Sequence, residues 1–329
     1  MLTAVFSLAG ALVFGAADFL GGLAAKRVSA ILATAVAALS GFVVLLAAYP
    51  LLGGAWSEHD VWWGILSGIT GAIAISLLYA CLAIGPMSIL SPLTAVVSAV
   101  VPMIWGLLVT GERFAGLGYW ALGLALLAVV LVGFVPEKGA VRPSLRGILM
   151  AIGSGIAIGG FYITIDQTSD ASGVVPLILN RGVNAAIMFS VFGVLAAATA
   201  ARARASAERR STRTAAMVPG ARMPRAESPV APATAPRAGA CEASAARWTS
   251  ATAAGVRLAI ACGVVDVVAN ALLLFGIRAG DLSVAAVLGA MYPAGTILLA
   301  ALVLRERIAP VQWVGLVLAL AAAGMLAVA

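Results

Sequence analysis

Apolar stretches of about 20 residues, almost free of charge, recur along the whole sequence, and each could cross a bilayer as a helix rising about 1.5 Å per residue. Ten of them stand between short polar breaks: Leu2–Ala24, Ala30–Tyr49, Val61–Cys81, Met87–Val109, Gly116–Val135, Gly147–Ile165, Val174–Ala198, Val256–Phe275, Leu282–Val303 and Val311–Val328. In lipid an open chain satisfies its backbone polar groups only as a helix, so the expected class is an all-α membrane protein. Only 10% of the residues are charged and 63% are hydrophobic, against about a quarter charged in soluble domains, which excludes a soluble enzyme.

The chemistry of catalysis is thin. One histidine, His59, and three scattered cysteines, Cys81, Cys241 and Cys262, give no CxxC, no HExxH and no disulfide framework. No phosphate-binding GxxxxGK[ST] segment occurs, so ATP hydrolysis would have to come from another chain. The expectation is a non-enzyme with no cofactor and no metal.

The N-terminus opens apolar at Met1-Leu2 and reads as the first span, not as a signal peptide. One long segment, 199–254, is rich in Ala, Arg, Pro, Ser and Thr and poor in bulky aliphatics. It is expected to be a disordered basic loop, solvated rather than a nucleic-acid partner.

An internal repeat organises the rest. Tyr79-Ala-Cys-Leu-Ala-Ile-Gly85-Pro-Met-Ser88 leads through an apolar helix to Gly111-Glu112-Arg113-Phe114, and Leu274-Phe-Gly-Ile-Arg-Ala-Gly280-Asp-Leu-Ser283 leads likewise to Leu304-Arg305-Glu306-Arg307-Ile308. Ser88 thus maps on Ser283 and Glu112 on Glu306. Five spans is an odd number, so two copies in series cross the membrane in opposite senses, the inverted-repeat plan of secondary transporters. The expected fold is ten transmembrane helices in two inverted five-helix repeats, 1–135 and 146–329, the second interrupted by the 199–254 loop.

These paired units, together with Tyr292-Pro293 in the ninth span and Phe14-Gly15-Ala16-Ala17-Asp18-Phe19-Leu20-Gly21-Gly22 in the first, resemble the drug/metabolite transporter superfamily, specifically the EamA-type ten-helix permeases. The resemblance implies ten helices around a central cavity and movement of a small-molecule substrate, often export of an amino acid or related compound, across a cell membrane. A lipid-intermediate flippase or an uptake carrier is the alternative on the same fold. Small multidrug exporters, which look like four-helix relatives, carry a key acid in their first helix, where Asp18 stands.

Lys and Arg are biased to the odd-numbered loops, 17 against two in the even-numbered ones, Arg113 and Arg278. That count places the basic loop in the cytoplasm and both termini outside. Related carriers are described with both termini in the cytoplasm, so charge and resemblance point opposite ways.

Ionisable groups within spans cost about 2.5–3.5 kcal/mol each on insertion scales and usually face a cavity or a partner. Asp18 in the first span, Arg181 in the seventh and Asp266 in the eighth are the deepest. Asn180 and Asn184, and Asp266 and Asn270, lie four apart on one helical face, so each helix presents a polar stripe. One reading is a cavity where Arg181 attracts a carboxylate or phosphate while a protonatable acid, Asp18 or Asp266, couples transport to protons. The other is an ion pair of Arg181 with Asp18 or Asp266 that only neutralises buried charge. Tyr79, Tyr162 and Tyr292 are candidate stacking partners for a substrate. Glu112 and Glu306 are expected to cap the helix starts that follow them or to pair with Arg113 and Arg307. Gly64/Gly68 and Gly155/Gly159 permit close helix contact, within one bundle or across a homodimer. Pro92, Pro102, Pro176 and Pro293 interrupt helical hydrogen bonding and mark hinges or simple kinks.

Overall fold

The computed structural model describes residues 1–84, 87–133, 144–216, 238–303 and 309–328. The described residues form helices and no strand: α1 Leu2–Ala25, α2 Ala30–Leu52, α3 Glu58–Ile84, α4 Met87–Trp105, α5 Gly116–Gly133, α6 Leu145–Asp166, α7 Val175–Ala216, α8 Ala238–Arg278, α9 Leu282–Gly289, α10 Tyr292–Val303 and α11 Pro310–Val328. Among them, eight segments are long and apolar enough to cross a membrane, and two apolar helices, Gly116–Val132 and Pro310–Leu326, are shorter. Starts are set locally. Ser29 accepts from the Leu32 N–H at 3.3 Å and Ser144 from the Gly147 N–H at 3.1 Å, so α2 and α6 begin with a capped first turn just after basic breaks.

Three local features depart from ten plain spans. The fourth span ends in a π turn, Gly106–Thr110, closed by Gly111 at φ 75°, a left-handed conformation that suits glycine. The ninth is broken into α9 and α10, with Pro293 in the first turn of α10, where a missing N–H costs no helical bond. Pro176 likewise falls in the first turn of α7 and kinks nothing. Within the expected loop, residues 199–216 and 238–254 continue α7 and α8 as helix; the physical reason is their Ala and Arg content, both strong helix formers. Residues 217–237 lie outside the described residues.

Packing between the first five helices and the rest is reciprocal. α1 lies on α8 as α6 lies on α3, α1 lies on α9 and α10 as α6 lies on α4, and α2 lies on α8 as α7 lies on α3, while α2–α7, α4–α9 and α5–α11 pair across the middle. Small residues let these backbones approach. A Cβ at Gly15 would collide with the α10 backbone at Gly295 and Thr296, and Thr296 Oγ1 donates to the Gly15 carbonyl at 3.2 Å. Gly64 and Gly68 face Pro176, Leu179 and Val183 of α7; Gly155 and Gly159 face Val97 and Val101 of α4. Both glycine pairs therefore serve contacts inside one chain. Large apolar side chains such as Leu39, Val43, Trp120, Val194 and Val317 point outward, and all eight residues of α9 are buried.

Candidate functional site

Five helices and the start of a sixth converge on one cavity of about 170 Å³. α1 contributes Asp18, α6 Tyr162, α7 Asn180, Arg181 and Asn184, α8 Asp266 and Asn270, and α10 Tyr292, so eight of the nine side chains singled out from the sequence line it together. The side chain of the ninth, Tyr79, lies outside the described residues. Asp266 stands near the middle of the apolar run Thr252–Arg278.

Arg181 Nη2 and Asp266 Oδ2 form an ion pair, with side chains 11% and 21% exposed. The pair is incomplete. Arg181 Nε is buried without a hydrogen-bond partner among the described residues, and so is Asn184 Oδ1. Buried polar atoms are nearly always satisfied, so an unpaired donor and an unpaired acceptor on one cavity wall are a capacity to bind. Asp18 lines the same cavity, is exposed, and has no ion pair or hydrogen bond among the described residues. Asn180 is anchored: its Nδ2 donates to Ser67 Oγ at 3.1 Å, which donates to the Gly64 carbonyl at 2.7 Å. Asn270 Nδ2 donates to the Asp266 carbonyl at 2.7 Å. The break between α9 and α10 brings Tyr292 to the cavity, and Gly289 leaves room for the hydroxyl of Tyr162.

Part of the apolar wall escapes a reading of the sequence. Gly71, Ala74, Ile75 and Leu78 form one stripe of α3, Ile158 and Phe161 precede Tyr162 on its face of α6, and Phe14 lies one turn before Asp18. Helical spacing places Phe14 four residues before Asp18, Ile158 four before Tyr162 and Phe161 three after Ile158. Nothing in the α3 stripe separates it from a lipid-facing one.

Beyond the cavity, the end of the bundle that holds the α2–α3 and α6–α7 connections is tied across the two halves. Asp60, 1% exposed in the first turn of α3, accepts from Ser169 N–H at 2.7 Å and Ser169 Oγ at 2.8 Å. From α8, Arg278 donates to the carbonyls of Gly173 and Ser169 at 2.9 and 3.0 Å and to Ser172 Oγ at 2.9 Å. Connector 167–174, clasped from both sides, joins the helices that supply Tyr162 and Arg181. Glu112 also works across the halves. Its carboxylate accepts from the Leu282 and Ser283 N–H groups at 2.8 and 3.2 Å, so it caps α9, not the helix that follows it. Glu306 lies outside the described residues.

The EamA-like transporter family matches residues 242–328, which agrees with the resemblance to the drug/metabolite transporter superfamily. The apolar helices and this match indicate a multi-pass membrane protein, and the match over 242–328 suggests a transporter. No curated protein matches the chain. Among solved structures, a crystal structure described only as that of a protein is 15% identical and superposes with TM-score 0.66, covering 98% of this chain and 95% of its own. At that identity the likeness is one of fold.

Proposed function

We propose that the chain is a secondary transporter that carries a small metabolite, such as an amino acid or related compound, out of the cell by alternating access. It would sit in the cell membrane as two inverted five-helix repeats, 1–135 and 146–329. The reciprocal packing of α1–α8 with α6–α3 and of α2–α8 with α7–α3 supports the repeat, since a two-fold axis in the membrane plane exchanges each contact with its partner. Rocking one repeat against the other would open the cavity to each side in turn.

The observation that carries this reading is the incomplete charge arrangement in the cavity: an Arg181–Asp266 pair with an unused Arg181 Nε, and Asp18 beside it without a counter-charge. A purely structural pair would use its donors fully. Here Arg181 Nε and Asn184 Oδ1 can take a carboxylate and an ammonium, and Asp18 is free to carry a proton. The volume of about 170 Å³ falls below the roughly 300–1,000 Å³ of drug-sized sites, which favours a small solute.

Solid-supported-membrane electrophysiology on purified protein in liposomes tests this. Amino acids, organic acids and amines are screened at two pH values beside Asp18→Asn and Asp266→Asn. A substrate-dependent current lost in either variant is expected. No current and no isotope exchange with any solute, in protein shown to be folded, would overturn the reading in favour of a lipid flippase.

A further inference from the structure

The charged cluster has a second opening behind it. Asp18, Ile75, Arg181, Asn184 and Asp266 also line a separate cavity of about 80 Å³, whose remaining wall comes from the last turns of α1, the first turns of α2 and Cys262 in the middle of α8. Gly21 and Ala33 mark its outer reach, four residues before the end of α1 and three after the start of α2. It therefore runs from the cluster toward the α1–α2 turn, which carries Lys26 and Arg27. At about 1.5 Å per residue, the seven steps from Asp18 to Ala25 cover roughly 10 Å.

The wall is small and partly polar. Ala33, Ala37 and Gly21 leave the space unfilled, while Thr34 and Cys262 add a hydroxyl and a thiol to the charges at its inner end. Empty cavities in proteins are apolar. A single water needs about 10–15 Å³ and two to four polar partners, so this space has room and partners for several. Facing Asp18 from the surrounding helices are Arg181 of α7, Asp266 and Cys262 of α8, Tyr162 of α6 and Tyr292 of α10.

We infer that this second cavity is a hydrated access path joining Asp18 and the Arg181–Asp266 pair to the membrane face at the α1–α2 turn. It deepens the transport reading, on which its purpose rests: it is the route by which a coupling proton reaches Asp18 while the larger cavity holds solute. Its hydration does not depend on that reading.

Cys262 is a built-in reporter. Its Sγ donates to the Ala17 carbonyl at 3.2 Å on the cavity wall. A thiol reacts with a charged methanethiosulfonate only as the thiolate, so modification by an impermeant reagent requires water at the sulfur. The full chain carrying Cys81→Ala and Cys241→Ala is reconstituted in sidedness-controlled liposomes, a small cationic methanethiosulfonate is added to either face, and adducts are located by mass spectrometry. Modification of Cys262 from the α1–α2 face is expected, at least about tenfold faster than from the other. A Cβ at residue 21 would stand 3.3 Å from Cys262 Sγ, so Gly21→Leu is expected to suppress modification and Gly21→Ala to leave most of it. Ala33→Leu, at the end of the cavity nearest the α1–α2 turn, provides the same plug if Gly21→Leu does not fold. No modification from the α1–α2 face, while a cysteine added in an exposed loop is labelled, overturns the path; so does modification that both plugs leave untouched. Labelled Cys262 in protein that moves no solute would sink the transport reading alone, and unlabelled Cys262 in protein that does would sink the path alone.

Discussion

Arg181 on α7 and Asp266 on α8 form an ion pair in the wall of the cavity that also receives Asp18. Removing one partner leaves the other, largely buried charge without its counter-charge inside the helix bundle. Removing both does not.

That asymmetry predicts a double-mutant cycle. Arg181→Gln and Asp266→Asn should each lower thermal stability in detergent, and the double variant should lose less than their sum, with a coupling of about 1–3 kcal/mol. Additive losses would mean the pair contributes nothing.

Asp18 has no such partner, so its neutralisation should spare folding. Asp18→Asn is expected to keep stability within about 0.5 kcal/mol of the parent, as for substitutions away from buried networks, while abolishing pH-driven flux. Solute counterflow at equal pH, which needs no net proton movement, should persist. Counterflow lost together with flux would assign Asp18 to solute binding.

The contact between Gly15 and the α10 backbone leaves no space for a side chain. Gly15→Val should therefore destabilise by about 1–3 kcal/mol or more, since it must push α1 and α10 apart. Gly22, whose Cβ would meet nothing, is the control: Gly22→Ala should be neutral or slightly stabilising in the same thermal-shift measurement.

Asp60 and Arg278 hold connector 167–174 from opposite halves. Asp60→Ala should raise amide hydrogen exchange at 168–174 by about tenfold or more, the equivalent of one lost charged hydrogen bond at about 1.5–3 kcal/mol. Arg278→Gln should do the same at 173–174. Unchanged protection in both would show that the connector is held by its own backbone bonds to Gly53 and Ala55.

Much of the site is legible in the sequence because buried charge is scarce in a membrane chain. Asp18, Arg181 and Asp266 announce themselves, and helical spacing adds Asn180, Asn184 and Asn270 to the same faces. The α3 stripe of Gly71, Ala74, Ile75 and Leu78 does not, since apolar residues facing a cavity and facing lipid read alike. Partnership across the chain is also hidden. Asp60 and Ser169 are 109 residues apart, and only the packed bundle brings them together. Glu112 reads as a helix cap, which is correct in kind, but its target lies in the other half. The helical continuation of α7 and α8 is concealed by a composition that suits disorder and helix equally.

Glu112 bears on how the protein is made. α9 is buried along its whole length, starts without a side-chain cap of its own, and has its first two N–H groups completed by a carboxylate made 170 residues earlier. A ribosome delivering α9 to the membrane thus delivers a helix whose end is finished only by the first half, already inserted. The second half, synthesised alone, is expected to enter the bilayer with the first N–H groups of α9 uncapped.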